Sequence, residues 1–371
     1  MSTTGHSAGA EDRFAEAGQL KLTWWRFKRH KLALISLFLV AIFYLIAIFA
    51  DFLAIADPHA TDARRSFIPP QGIQLFDNGS FRPHVNGLKG TRDLKTFKLT
   101  YAPDPAKKLP VRLFARGYAY NLFGVIPTDV HLLGVEGGEA IDGLFLLGTD
   151  QLGRDLYSRL VVATRISLSI GLVGVSLSLL LGVLLGGISG LYGGMVDTVI
   201  QRVIEMVRSI PTIPLWMGLA AALPNTWSVT QVYFSITLII SLFAWTELAR
   251  VVRGRFLALR EEDFVIAAEL AGASQLRIIF RHMLPSFASH VIAATSLALP
   301  AMIISETSLS FLGLGLRAPA ISWGILLQDA QNVQVLAGAP WLLISAVPVI
   351  LAILAFNFLG DGLRDAADPY G

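Results

Sequence analysis

Six stretches of this chain are largely apolar and each about long enough to cross a bilayer: residues 32–50, 166–188, 199–223 (entered through Arg202, Glu205 and Arg208), 229–250, 287–309 and 341–359. No other feature limits the fold as strongly. In hydrocarbon every backbone N–H and C=O must be satisfied internally, and a continuous apolar run of this length does so as a helix. The expectation is an all-α integral membrane protein with six transmembrane helices. The rest of the composition agrees, with 54% hydrophobic and only 15% charged residues, where a soluble domain carries about a quarter charged. A net charge of +3 is too small to point to nucleic acid, and the absence of cysteine excludes disulfides and thiol chemistry.

Between these runs the chain changes character. Residues 1–31 form a polar tail in which Lys21, Arg26, Lys28, Arg29 and Lys31 alternate with Trp24, Trp25 and Phe27, a mixture suited to a helix at the lipid headgroups. Residues 32–56 hold the first span. Its apolar run is longer than a signal-peptide core and its leading tail is long, so an uncleaved span is favoured over a cleaved signal. Residues 57–162 are polar and rich in Pro and Gly, with 96–101 and 111–114 as candidate strands. A loop of this size needs its own fold or a partner. Lys107, Lys108, Arg112 and Arg116 read as a solvated face. Residues 163–371 form the core.

Several polar or small residues in or beside the spans stand out. Asp155 and Arg159 are spaced to pair along one helix. Gly182, Gly186 and Gly190 repeat every four residues and would let a second helix approach closely. Pro211 and Pro214 interrupt the third span and are candidates for lining a pathway. Glu247 is expected to pair with Arg250. Glu306 is a carboxylate between apolar runs, a candidate for contact with a transported solute.

The loop at 261–285 is the most patterned segment that is not itself a span. Phe264, Ala267, Ala268 and Ala271 fall on one helical face, and Leu276, Ile279, Phe280 and Met283 repeat the spacing. Gly272 stands between the halves as a C-cap, Ser274 as the next N-cap, and Pro285 closes the pattern. Periodicity alone fits two arrangements equally: helices on the membrane surface, or helices docked against a partner protein.

Ala267, Ala268, Gly272, Leu284 and Pro285 match the spacing of the EAA loop in ABC importers, with Ile266 in place of its Glu and His282 in place of its Ile. The stretches 147–172, 305–330 and 358–369 are similar to peptide permeases. The chain therefore resembles the permease subunits of binding-protein-dependent ABC importers, in the oligopeptide, dipeptide and nickel branch, specifically the C-type peptide permease subunit. That resemblance implies the type I permease fold, with a large extracytoplasmic loop between helices 1 and 2. It implies a heterodimer with a second permease subunit, two cytoplasmic ATP-binding subunits, an extracytoplasmic solute-binding protein and a bacterial inner membrane. It places ATPase coupling on Ala267, Ala268, Gly272, Ala273, Ser274, Arg281, His282, Leu284 and Pro285. Without clustered His, Cys or Met, peptides are a better expected solute than nickel.

Basic residues collect before the first span, at Arg202 and Arg208, from Arg250 to His282, and at Arg364. With the amino terminus inside, every basic cluster in a short loop falls in the cytoplasm, as do both chain ends and the 261–285 loop. The sequence has no Gly-Lys pair, hence no phosphate-binding loop, and no His-Glu-x-x-His or Gly-x-Ser-x-Gly. No catalytic residue, cofactor or metal site is expected, and ATP hydrolysis is assigned to partners. The rival is an ion-coupled secondary transporter or channel acting alone, which predicts ionisable residues in mid-span and inverted repeats. A membrane-anchored sensor would leave the five further spans without a purpose.

Overall fold

The computed structural model describes residues 19–77, 79–92, 99–135, 142–224 and 226–367. The start of the tail, part of the 96–101 strand expectation and the last residues of the 358–369 stretch lie outside the described residues. Helix α1 (Gln19–Phe27) carries the basic and aromatic residues. Trp24 stacks on Phe27, and Lys28 Nζ sits 5.2 Å above the Trp24 ring. Phe27 is buried in the same apolar cluster as Ala33 and Phe356, which fixes α1 to the bundle. His30 caps α2 (Lys31–Ile48), its Nδ1 accepting from Ala33 N–H. A short turn, α3 (Ala50–Leu53), follows directly.

The polar insertion has its own fold. Strands β1 (Gln74–Asp77), β2 (Ser80–Arg92), β3 (Leu99–Leu122) and β4 (Ile126–Val135) form an antiparallel meander in the order β1-β2-β3-β4. Val85, Leu109 and Leu144 are its buried core, closed by Ile55 and Ile73. Residues 99–101 and 111–114 both fall within the single long strand β3. Thus one sheet joins the helical bundle, and its interruptions are bulges rather than strand ends.

Asp155 caps α4 (Leu156–Tyr192), accepting from Ser158 N–H at 2.7 Å. The boundary expected at 162/163 therefore falls inside one continuous helix. Among the described residues, five helices are long and apolar enough to cross a membrane. The expected span at 199–223 is instead divided into α5 (Gly194–Ser209) and the ten-residue α6 (Thr212–Ala221). Pro211 supplies the cause. It forces Ile210 before it into an extended conformation, with φ −90° and ψ 129°. Asp197, Arg202, Glu205 and Arg208 also give α5 a polar face that hydrocarbon would reject.

Helix α7 (Val229–Leu259) starts from a capping box formed by Ser228 and Gln231. It lies against α4 along the glycine repeat. A Cβ on Gly186 would come within 2.5 Å of the Ala249 carbonyl oxygen, and one on Gly190 within 2.6 Å of Phe256 Cβ. Small residues at those positions are the condition for this backbone approach. Ser189 and Arg253 both hydrogen-bond Asp197, the latter through two nitrogens, fixing α5 across the ends of α4 and α7.

After α7 come α8 (Asp263–Leu270), α9 (Gln275–Arg277), a π-helical turn (Ile278–Met283) and α10 (Leu284–Ser286). Helix α11 (Ala288–Phe311) crosses back, followed by α12 (Trp323–Asp329), α13 (Val333–Gly338), a 3-10 segment (Pro340–Ser345) and α14 (Ala346–Ala367). The main core joins α2, α11, α12 and α14 through Phe43, Ile303, Trp323, Ala352 and Phe356.

A candidate coupling elbow and an open cavity

The turn at Gly272 follows from two crossed hydrogen bonds. Ala273 N–H donates to Ala268 O at 3.1 Å, and Gly272 N–H donates to Glu269 O at 2.9 Å. Together they end α8 in the Schellman pattern, whose glycine takes the left-handed conformation. Gly272 has φ +77°, with open space where a side chain would stand. Ser274 occupies the N-cap position of α9, but its side chain makes no cap hydrogen bond.

The two halves of the elbow pack through a face that only partly matches the one periodicity selects, sharing Ile279, Met283 and the edge residue Ala268 with it. Val265, Ile278, Ile279 and Met283 are buried, with Ala268, Ala273 and Leu284 at their edge, against Phe256, Phe287 and Val291. Of the expected upstream face, Phe264, Ala267 and Ala271 are exposed, and of the downstream face Leu276 and Phe280 are exposed. The reason is that α8 is apolar on two sides, and only one is used within the chain. What remains outside is Phe264, Ile266, Leu270, Leu276 and Phe280, with Leu270 85% exposed. Gly272, Ser274, Arg281 and Pro285 are exposed beside them, and His282 is half-buried. An elbow held from below by a packed cluster, and carrying large apolar side chains outward, is chemically suited to burial against another protein.

Above the elbow a cavity of about 740 Å³ opens between α6, α7, α11 and α14. Trp216, Phe243, Leu297 and Met302 wall it, small residues such as Ala298 and Ala301 line α11, and Glu247, Arg255 and Arg364 supply its charges. Glu247 is bonded to Arg208 of α5 and not to Arg250, because the chain brings α5 across the face of α7. Pro211 and Pro214 do not line this cavity; their neighbours Thr212 and Trp216 do. Sequence reasoning missed Trp216, Phe243, Arg255 and Arg364, which come from three helices distant in sequence and share no local pattern.

Glu306 is also absent from the cavity. It is fully buried, its Oε1 accepting from Ser310 Oγ at 2.8 Å and its Oε2 from Ser167 Oγ at 3.3 Å. Those hydroxyls in turn accept from Leu316 N–H and Trp323 N–H. Its carboxylate thus joins α4, α11 and α12 and, contrary to what solute contact would require, does not reach this cavity. The expected Asp155–Arg159 pair is likewise absent: Asp155 caps the helix, while Arg159 turns to Asp150 and Asp329.

Taken together, the chain is an apolar helical bundle with a cavity open to its surface and an elbow that carries large apolar side chains outward. The family profile described as binding-protein-dependent transport system inner membrane component matches residues 182–370. A profile described as the N-terminal TM domain of oligopeptide transport permease C matches residues 18–70. The chain is 34% identical over 348 residues to the dipeptide transport system permease protein DppC of Lactococcus lactis subsp. cremoris, covering 93% of this chain and 89% of that one. It is 41% identical to the oligopeptide transport system permease protein OppC of Haemophilus influenzae, covering 65% of this chain and 75% of that one. It is 36% identical to the Bacillus subtilis protein of the same name, with 60% and 70% covered.

The chain belongs to the family of inner membrane components of binding-protein-dependent transport systems. It is a multi-pass permease subunit of an ABC importer, a system that includes partner permease, ATPase and solute-binding components, and ATP hydrolysis resides on the separate ATPase subunits.

Proposed function

We propose that this chain, paired with a second and different permease subunit, forms the pathway for small peptides across the bacterial inner membrane. Of two ATPase subunits in the complex, one docks on the elbow at 261–285, and a solute-binding protein delivers the peptide on the opposite side. The observation that carries this reading is the row of exposed apolar side chains around Gly272, from Phe264 to Phe280. Their burial in an ATPase groove would remove that surface from water, while the cluster beneath transmits the movement to α7 and α11.

Peptides as the solute are supported by the dipeptide and oligopeptide transport named for the relatives. The cavity chemistry is compatible, with apolar walls for peptide side chains and Glu247, Arg255 and Arg364 among its lining residues. The basic clusters support an orientation with both ends and the elbow in the cytoplasm.

The test is to purify the tagged chain in mild detergent from cells expressing the whole transporter, with Leu270→Glu and Leu276→Glu introduced together. Both side chains are exposed, so the chain should fold and still hold its partner permease. Loss of the ATPase from this variant, with peptide uptake abolished, is the expected result. An undiminished ATPase yield would remove the elbow from the docking site.

A further inference from the structure

The sheet carries an apolar end that its own core does not use. At the β3–β4 turn Phe123, Val125 and Ile126 are exposed, Val125 at 78%, and Leu113 and Phe114 are exposed further back on β3. A soluble hairpin tip would ordinarily be polar. Two further observations say where this one lies.

First, the hairpin is tied to the end of the first span. His131 Nδ1 lies 3.0 Å from Asp51 O, and its Nε2 lies 3.0 Å from Tyr118 O. The Phe123 ring meets Phe49 with centroids 5.6 Å apart, and Phe114 meets Phe52 at 6.2 Å. Phe49 directly follows the last residue of α2, so the tip sits where that span leaves the apolar layer. The exposed side of α2, with Ile35, Phe38, Leu45 and Phe49, is continuous with it. Second, Phe114 and Phe123 both have φ +55°. A bulky residue in the left-handed region is strained and persists only where its surroundings require it. Phe67 shares this conformation elsewhere in the chain; of the three such residues among the described ones, Phe114 and Phe123 are those whose rings meet Phe52 and Phe49.

We propose that the β3–β4 tip inserts into the bilayer leaflet facing the sheet, with Phe123, Val125 and Ile126 at the boundary between headgroups and acyl chains. The occupant of this apolar surface is lipid. A lipid-facing helix already borders it, and aromatic rings favour that interfacial depth. The extracytoplasmic domain is then held beside α3 both by the covalent chain and by a lipid contact of the hairpin tip.

The chain has no cysteine, so Val125→Cys or Ile126→Cys takes a single nitroxide label before assembly with its partners. The complete transporter is reconstituted in vesicles of phosphatidylethanolamine and phosphatidylglycerol. Collision with oxygen and with a water-soluble nickel chelate is then measured, with Lys89→Cys on the exposed part of β2 as the aqueous reference. The expected result is an oxygen-to-nickel ratio several-fold higher at 125 and 126 than at 89. A ratio equal to that at 89 would place the tip in water and overturn the proposal. Exclusion of both reagents at 125 and 126 would mean that a protein partner covers the tip, and would overturn it equally.

Discussion

The Arg159 guanidinium donates to the Asp329 carboxylate at 3.0 Å across 170 residues of sequence, and the same nitrogen lies 2.5 Å from Asp150. Arg154 reaches both carboxylates as well. This network fastens the start of α4 to the end of α12. Arg159 is 1% exposed, and removing one partner from a buried pair costs about 3–5 kcal/mol. Arg159→Met should therefore lower the thermal midpoint of the detergent-purified chain sharply. Asp329→Asn should have a milder effect, since Arg159 keeps Asp150. Equal losses from the two variants would mean that the network is not centred on Arg159.

The α4–α7 contact predicts opposite outcomes for two glycines. Gly186→Ala places a methyl group against the Ala249 carbonyl, and overpacking of this kind costs about 1–3 kcal/mol. Gly218 in α6 has no neighbour within 4 Å of a built Cβ, so Gly218→Ala should stabilise the helix by roughly 0.5–1 kcal/mol. Thermal unfolding of the isolated chain distinguishes them by sign.

Burial pushes the Asp155 carboxyl up to about 6, partly offset by the hydrogen bond from Ser158, and Asp150 nearby adds to the rise. Its other oxygen has no partner. An unfolded aspartate ionises near 3.9. Between about 4 and 6 the folded chain holds a proton that the unfolded chain has lost, so stability falls as pH rises through that window. The loss is complete above about 6 and amounts to at most ~3 kcal/mol. Asp155→Asn keeps a capping oxygen and should flatten this dependence, matching wild type near pH 4 and exceeding it at pH 7. An unchanged slope between pH 4 and 6 in the variant would refute the assignment.

Glu306→Ala should impair folding before it touches solute affinity. It leaves the Ser167 and Ser310 hydroxyls without their acceptor, at about 1–3 kcal/mol for each buried group left unpaired. Yield and thermal midpoint should fall, while the KM for peptide in whatever transporter assembles stays constant. A raised KM with normal yield would restore Glu306 to the pathway.

The sequence signals that proved legible were those with a local physical cause. Apolar length marked the spans, the four-residue glycine repeat marked the α4–α7 contact, and Gly272 marked a left-handed turn. The failures have equally definite causes. Apolar length at 199–223 outweighed Pro211, whose restriction of Ile210 divides the segment. Helical spacing suggested pairs within one element for Asp155–Arg159 and Glu247–Arg250, but the ions are satisfied across elements by Asp329 and Arg208. Two apolar faces on α8 left periodicity unable to say which is inward. The long strand β3 was seen only as fragments because Pro103, Pro105 and Pro110 interrupt its alternation.

Where a methyl group cannot be inserted between two helices, they cannot slide past each other without first separating. Carbonyl-to-glycine contact along α4 and α7 therefore joins the two into a single beam. One end of the beam, at Leu259, leads into the elbow, and its middle carries Phe243 and Glu247 on the cavity wall. On the proposal that a partner docks at the elbow, a push there would have no slack to take up along this route, and the wall would swing as a unit, gearing the width of the opening to the partner's stroke.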